Sequence, residues 1–327
     1  MKDVEILIAG AGSVGCYLGA WLARAGARVS FWGRERSQAR LGQGLRLTSL
    51  DGRQLHLQSP KVVSTLSGSY SLVVLACKRP ATAEVIAALK PHLGAHGLIL
   101  VAQNGLDAAR EVAALSGVRA LPLMVPFNLT WLGPGHLHRA SGGTLMLPGD
   151  AELAPLCRAL AQGSDCRQVA DMEAVLAGKL LLNLNNAING LCGLPLKEEL
   201  SRRGYRLLLA GAQEEALAVM RARGLRPARL TAVPPAWLPR VLRLPDGLFR
   251  VLAGKLLAMD PSARSSLYDD LAAARPTEIA DLNGWVLAEG KRLGIATPIN
   301  ARLTTLTRQA EAEGRAPSLT PQQIAGH

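Results

Sequence analysis

Two groups of residues in this sequence have types and spacing that could do chemistry. The first is Gly10-Ala-Gly12-Ser13-Val14-Gly15, a G-x-G-x-x-G run directly after the apolar stretch 4–9. The second is Lys179, Asn183 and Asn186 within the otherwise apolar segment 176–190. In the glycine run, Gly10 permits a tight turn, Gly12 lets a pyrophosphate approach the backbone, and Gly15 lets helix and strand pack closely. Free amide groups and the positive end of the following helix then face the phosphates. In the second group, a helix turning by about 100° per residue brings the lysine and the two amides within an arc of roughly 60°. Polar groups on a buried helix cost stability unless they are paired, so this stripe is a candidate site. The competing reading is a lysine reaching solvent beside capping asparagines.

The elements that position these groups follow from the hydrophobic pattern. Residues 4–9 read as a buried strand and the pattern around Leu18, Trp21 and Leu22 as a helix, with 27–32 as a second, parallel strand. Where an NAD site usually has an acidic residue after that strand, this chain has Trp32-Gly33-Arg34-Glu35-Arg36. Two guanidinium groups suit a 2′-phosphate, which points to NADP. Strands over 71–77 and 97–102 deliver Lys78 and Asn104 to the carboxyl edge, where ligands bind in such sheets. Residues 45–57, alternating about Asp51-Gly52, read as a hairpin decorating the sheet. Strands are also expected at 118–125 and 143–147, with His136 and His138 in a loop.

From Met172 the period becomes helical. The expected fold is an α/β N-terminal Rossmann domain with a mostly parallel sheet, 1–170, followed by an all-α C-terminal domain, 171–327. The proline-rich stretch 225–262 reads as short helices and turns, a lid among the options. Pro276 and Gly294 bracket a helix with Glu278 in its opening turn. The tail beyond 314 is expected to fray.

Composition removes several classes. A chain of 327 residues suggests two domains. No apolar run reaches the ~18–20 residues of a membrane span, and the immediate strand leaves no place for a signal peptide. Five cysteines without a C-x-x-C indicate reduced thiols and a cytoplasmic protein. The net charge of +12 comes from scattered arginines, not a basic tract, which argues against nucleic acid and for anionic small molecules. His92 and His96 have helical spacing but flank Gly94 and lack a further ligand, so no metal site is expected. A partner small molecule is expected; the oligomeric state, a homodimer included, stays open.

Four stretches together resemble the ketopantoate reductase (2-dehydropantoate 2-reductase) family: the glycine run, the Lys78 strand end, Lys179-Leu-Leu-Leu-Asn183, and Ser265-Ser266 with Arg275-Pro-Thr-Glu278. The resemblance extends to Asn283-Gly284 and to Gly294-Ile-Ala-Thr-Pro298. It implies a Rossmann domain and a helical domain with the active site in the cleft between, and NADPH-dependent reduction of ketopantoate to (R)-pantoate on the route to pantothenate and coenzyme A. It implies Lys179 as general acid with Glu278 as its charged neighbour, and Asn183 and Ser266 as substrate contacts. Lys78 and Asn104 would line the cleft near the cofactor, and Arg34 would meet the 2′-phosphate. The family pattern has an asparagine eight residues after the lysine; here that position is Ala187, and Asn186 is its expected substitute. Alternatives are reduction of another small 2-oxo acid and a non-catalytic NADP-binding sensor. Arg34→Ala should weaken NADPH by roughly one to two decades and NADH far less, since only NADPH carries the extra phosphate. Titration of both cofactors checks this, and equal losses would refute it.

Overall fold

A computed structural model describes residues 4–252 and 263–326. The chain divides into two compact units, one running to Met172 and the other beginning at Glu173. The first unit contains β1 (Glu5–Ala9), α1 (Ser13–Arg24), β2 (Arg28–Trp32), α2 (Glu35–Leu41), β3 (Leu45–Ser49), β4 (Gln54–Leu57), β5 (Lys61–Val63) and β6 (Tyr70–Leu75). It continues through α3 (Thr82–Leu89), β7 (Leu93–Val101), α4 (Ala108–Ser116), β8 (Arg119–Pro122), β9 (Leu129–Gly133), β10 (His136–Arg139), β11 (Leu145–Pro148), α5 (Ala154–Leu160) and β12 (Cys166–Val169).

Its main sheet is parallel throughout, in the order β5-β2-β1-β6-β7-β8. β1 is central, and its alternating side chains serve two cores. Ile6 and Ile8 pack with Leu18, Leu22 and Phe31, while Leu7 and Ala9 pack with Val73, Ile86 and Val112. A strand buried on both faces has no polar side, which is why 4–9 reads as an unbroken apolar run.

The hairpin at 45–57 forms as expected, with Leu45 opposite Leu57 and Gly52 at a φ of +79°. It does not join the main sheet. It builds a second sheet, β4-β3-β10-β9, in which β10 runs parallel to β3. His136 and His138 therefore lie on a strand, not in a loop, and both rings hydrogen bond Thr48 Oγ1, at 3.0 and 2.9 Å. Their cross-strand partner is distant in sequence, so local pattern did not reveal it.

The second unit is helical: α6 (Met172–Asn183), α7 (Asn185–Cys192), α8 (Leu196–Ser201), α9 (Arg203–Ala222), α10 (Leu238–Leu242), α11 (Asp246–Leu252), α12 (Ser266–Ala272), α13 (Asn283–Leu293), α14 (Pro298–Glu313) and α15 (Pro321–Ala325). The short helices expected in the proline-rich stretch are α10 and α11; the remainder of the proposed lid, 253–262, lies outside the described residues. Close packing uses small residues. A Cβ at Gly178 would come within 2.5 Å of the Ala228 carbonyl, and one at Gly190 would collide with Leu267 of α12.

The tail does not fray. Leu319 N–H donates to the Leu191 carbonyl and Tyr205 Oη to the Leu319 carbonyl, both at 2.9 Å. α15 is closed by a capping box between Thr320 and Gln323, and Ile324 is buried. Its anchor is one apolar side chain in a polar stretch, too faint a signal in the sequence.

Buried polar groups join the helices. Arg206 of α9 is fully buried, yet its guanidinium donates to the carbonyls of Leu200, Ser201, Leu242 and Leu244 and to Asp246 Oδ1. It also stacks over Phe249, 4.2 Å from the ring centre. Arg206→Met should lower unfolding free energy by about 3–5 kcal/mol, because the carbonyls lose their donor and Asp246 its partner. Urea denaturation checks this.

Candidate active site

The glycine run forms the turn between β1 and α1. Gly10 has a φ of +110°, and a Cβ there would lie 2.5 Å from the Cys77 nitrogen at the end of β6. A Cβ on Gly15 would collide with the Gly10 carbonyl. Gly12 differs: a Cβ there would meet nothing within 4 Å. Two glycines thus let backbone pack on backbone, and the third faces open space. Gly12 is also the N-cap of α1, with no side chain capping it, so Ser13, Val14 and Gly15 begin the helix with amides suited to an anion. This loop fits a dinucleotide phosphate.

Lys78 and Asn104 follow β6 and β7, which pair with each other in the sheet. Lys78 is exposed and Asn104 half-buried. Beside Asn104, the buried Gln103 donates from Nε2 to the Cys77 carbonyl and to Thr82 Oγ1, each at 2.9 Å. It ties the two strand ends together and so positions their loops. Arg34 and Arg36 are exposed beside the end of β2, and Arg34 lies 3.7 Å from Glu84.

In the second unit, the segment carrying the lysine stripe is two helices. α6 ends at Asn183 and α7 starts at Asn185, although Leu184 keeps helical geometry. Lys179, Asn183 and Asn186 are all half-buried, whereas Ala187 is fully buried. Burial pushes the Lys179 ammonium down to about 8, and the negative charge of Glu278 opposes that shift. The structure therefore brings Lys179 and Glu278 into electrostatic contact across about 100 residues of sequence.

Glu278 is not in the opening turn of a long helix. It precedes a short 3₁₀ turn, Ile279–Asp281, and α13 begins only at Asn283. Tertiary contacts outcompete the proline signal here. Thr277 N–H donates to Glu311 Oε1 of α14 at 2.6 Å, and Thr277 Oγ1 accepts from Ile279 N–H at 3.2 Å. Thr277 and Glu311 hold Glu278 in place, and nothing in their spacing announced that role.

Ser265 and Ser266 separate into two environments. Ser265 is buried and caps α12, accepting from Tyr268 N–H at 3.2 Å, while Ser266 is exposed at the first helical position. Among the described residues, no three His, Cys, Asp or Glu cluster as a metal site would require.

Two family models match the chain, "Ketopantoate reductase PanE/ApbA" over residues 6–150 and "Ketopantoate reductase PanE/ApbA C terminal" over 171–311. The chain belongs to the ketopantoate reductase family. The family is one of oxidoreductases, and the fold, a parallel-sheet unit followed by a helical one, is the family's. A 2-dehydropantoate 2-reductase of Pyrobaculum aerophilum is 29% identical over 228 residues, 68% of this chain and 72% of that protein. The Aquifex aeolicus 2-dehydropantoate 2-reductase is 23% identical over 94% of this chain and 97% of its own. Among solved structures, a ketopantoate reductase of this family from Ralstonia eutropha superposes with a TM-score of 0.81 at 29% identity, covering 95% of this chain and 99% of that one. A D-mandelate dehydrogenase solved with NADH and anilino(oxo)acetate has the same fold, with a TM-score of 0.75 at 20% identity over 95% of this chain and 99% of that one.

Gly12 and Gly15 separate by experiment. Gly15→Ala should cost roughly 1–3 kcal/mol of stability through overpacking, and Gly12→Ala about 1 kcal/mol at most, as a change of N-cap only. Equal losses in denaturant unfolding would refute their different roles.

Proposed function

We propose that this family member is a 2-dehydropantoate 2-reductase, reducing ketopantoate to (R)-pantoate with NADPH for pantothenate and coenzyme A synthesis. The observation that carries the reading is Lys179, a half-buried ammonium beside Glu278 with its pKa lowered to about 8. When bound, the reduced nicotinamide supplies the hydride. Reduction of a ketone puts negative charge on its oxygen, and Lys179 stabilises that charge and donates the proton. A pKa near 8 suits this task, since the group is mostly protonated at neutral pH yet releases its proton more readily than an ordinary lysine. Glu278 keeps Lys179 charged against the cost of burial.

Asn183, Asn186 and Ser266 bind the carboxylate and hydroxyl groups of the substrate. Gly10, Gly12, Ser13, Val14 and Gly15 hold the pyrophosphate, with Lys78 and Asn104 beside the cofactor and Arg34 on the 2′-phosphate. The unit to about residue 170 is then the NADP-binding domain and the helical unit the catalytic and substrate domain. Five free cysteines accord with a cytoplasmic location, and no described helix is long and apolar enough to cross a membrane.

A second reading, reduction of a different 2-oxo acid, is favoured by Ala187, which is fully buried and has no amide to offer. Steady-state NADPH oxidation with ketopantoate, 2-oxoisovalerate and an aromatic 2-oxo acid decides between them. Ketopantoate should exceed 2-oxoisovalerate by about 100-fold or more in kcat/KM, because a site built to bond a hydroxyl leaves its own groups unpaired when that hydroxyl is missing. Comparable rates would favour the second reading. In the same assay kcat/KM should fall as pH rises through about 8, where Lys179 loses its proton. Lys179→Ala should lower kcat by about 10²–10⁴-fold and remove the fall of kcat above about pH 8 while NADPH affinity holds. A folded variant with near wild-type turnover would refute the mechanism.

A further inference from the structure

Glu199, on α8, is fully buried and takes no part in the reaction just described. Its Oε2 accepts from Asn189 Nδ2 of α7 at 2.6 Å, and the same amide nitrogen also donates to the Leu194 carbonyl at 2.9 Å. Asn189 is itself fully buried, and its Oδ1 accepts from the backbone N–H of Ser265 at 2.8 Å. Ser265 Oγ in turn donates to the Asn186 carbonyl at 3.3 Å and caps α12. A continuous chain of hydrogen bonds thus runs from Glu199 through Asn189 to the residue preceding Ser266. Two further ties hold the same segment: Leu196 N–H donates to the Ala263 carbonyl at 2.9 Å, and Arg264 donates to the Gly193 carbonyl.

Two atoms without partners and the burial of the carboxyl bear on the protonation of Glu199. Glu199 Oε1 and Asn185 Oδ1 are both buried acceptors without a donor, and the Asn185 side chain acts on the Glu199 carboxyl. A carboxylate adds one more acceptor to this pocket, whereas a carboxylic acid has an O–H to give to Asn185. Burial works in the same direction, pushing the carboxyl up to about 8 against its bonds from Asn189 and Asn185. The titratable groups facing it are Cys192 of α7 and Tyr205 of α9, and burial raises both of them too. Arg264 and Arg202 are the cations acting on those two groups, and both are engaged elsewhere: Arg264 over the Tyr268 ring and on Gly193, Arg202 on Glu198. Neither neutralises Glu199.

We propose that Glu199 is a positioning residue which, as a neutral carboxylic acid, fixes Asn189 and through it the Ser265–Ser266 turn that presents the Ser266 hydroxyl to the 2-oxo acid. This rests on Ser266 as a substrate contact. Glutamine keeps the bond from Asn189 through its carbonyl and offers an amide N–H to Asn185 Oδ1; leucine offers neither.

The test compares full-length wild type, Glu199→Gln and Glu199→Leu in steady-state oxo-acid reduction and in amide hydrogen exchange at Ser265. Glu199→Gln should keep the oxo-acid KM within about threefold, and Glu199→Leu should raise it by about tenfold or more, with NADPH KM unchanged and kcat less affected. Ser265 protection should persist in the glutamine variant and drop in the leucine variant. Equal damage from glutamine and leucine would mean the charge is required and overturns the proposal, as would an unchanged oxo-acid KM in Glu199→Leu. If Glu199→Leu does not fold, wild type and Glu199→Gln decide it between pH 7 and 9. The wild-type oxo-acid KM should rise more steeply above about pH 8 than that of Glu199→Gln, in which Lys179 alone titrates there, and parallel profiles overturn the idea. A wild type that reduces no 2-oxo acid defeats the proposed function, and this role with it. An active wild type with Ser265 exchange indifferent to Glu199 defeats this role alone.

Discussion

In the helical unit, polar groups taken out of water must not be left without partners. An unpaired buried donor or acceptor costs about 1–3 kcal/mol and a charge considerably more, against a net stability of only about 5–15 kcal/mol for a domain. The helices meet that constraint through networks as much as through apolar contact. Arg206 serves the carbonyls at the ends of α8 and α10 and the start of α11. Glu215 of α9 accepts the first amides of α14, from Ile299 and Asn300 at 2.8 and 3.0 Å. Asn300 Nδ2 donates to the Ala212 carbonyl and its Oδ1 accepts from Asn283 Nδ2, so α9, α13 and α14 share one buried knot.

Lys179 stands out against that background. At Lys179 burial works against the charge, and the negative charge of Glu278 opposes that shift. Holding an ammonium partly out of water costs stability and loosens its proton relative to an ordinary lysine. Glu278 can supply that opposition because Thr277 and Glu311 fix its backbone. The Lys179–Glu278 pair thus depends on α6 and on the approach to α13, which is itself secured by α14.

In the α/β unit the governing constraint is steric. The Gly10 carbonyl lies where a Cβ on Gly15 would be, and Gly10 itself rests on the backbone after β6. These approaches let β1, α1 and β6 converge, so the loops after β1 and β6 leave the sheet together. Gln103 brings the loop after β7 to the same place by bonding to the Cys77 carbonyl.

How much of this was legible in the sequence depends on the range of the interaction. β1 and its neighbours are buried on both faces and so declare themselves as apolar runs. Within the glycine turn Gly15 packs on the Gly10 carbonyl five residues away, and the Lys179–Asn183 spacing is one helical turn. The change from α/β to all-α near residue 170 is a change of period, which is also local. Fold class, the glycine loop and the lysine stripe could therefore be read from the chain alone. What the tertiary structure decided involves partners far apart in sequence. His136 and His138 become strand residues because Thr48 lies beside them, and the tail is ordered because Leu191 and Tyr205 bind it. Glu278 leaves its expected helix because Glu311 claims the preceding amide. Nothing in the local pattern marks Glu199 as buried; only the packing of α7, α8 and the Ser265 turn encloses it. Local pattern records what a residue does within its own element, and burial and pairing across elements exist only once the chain has closed on itself.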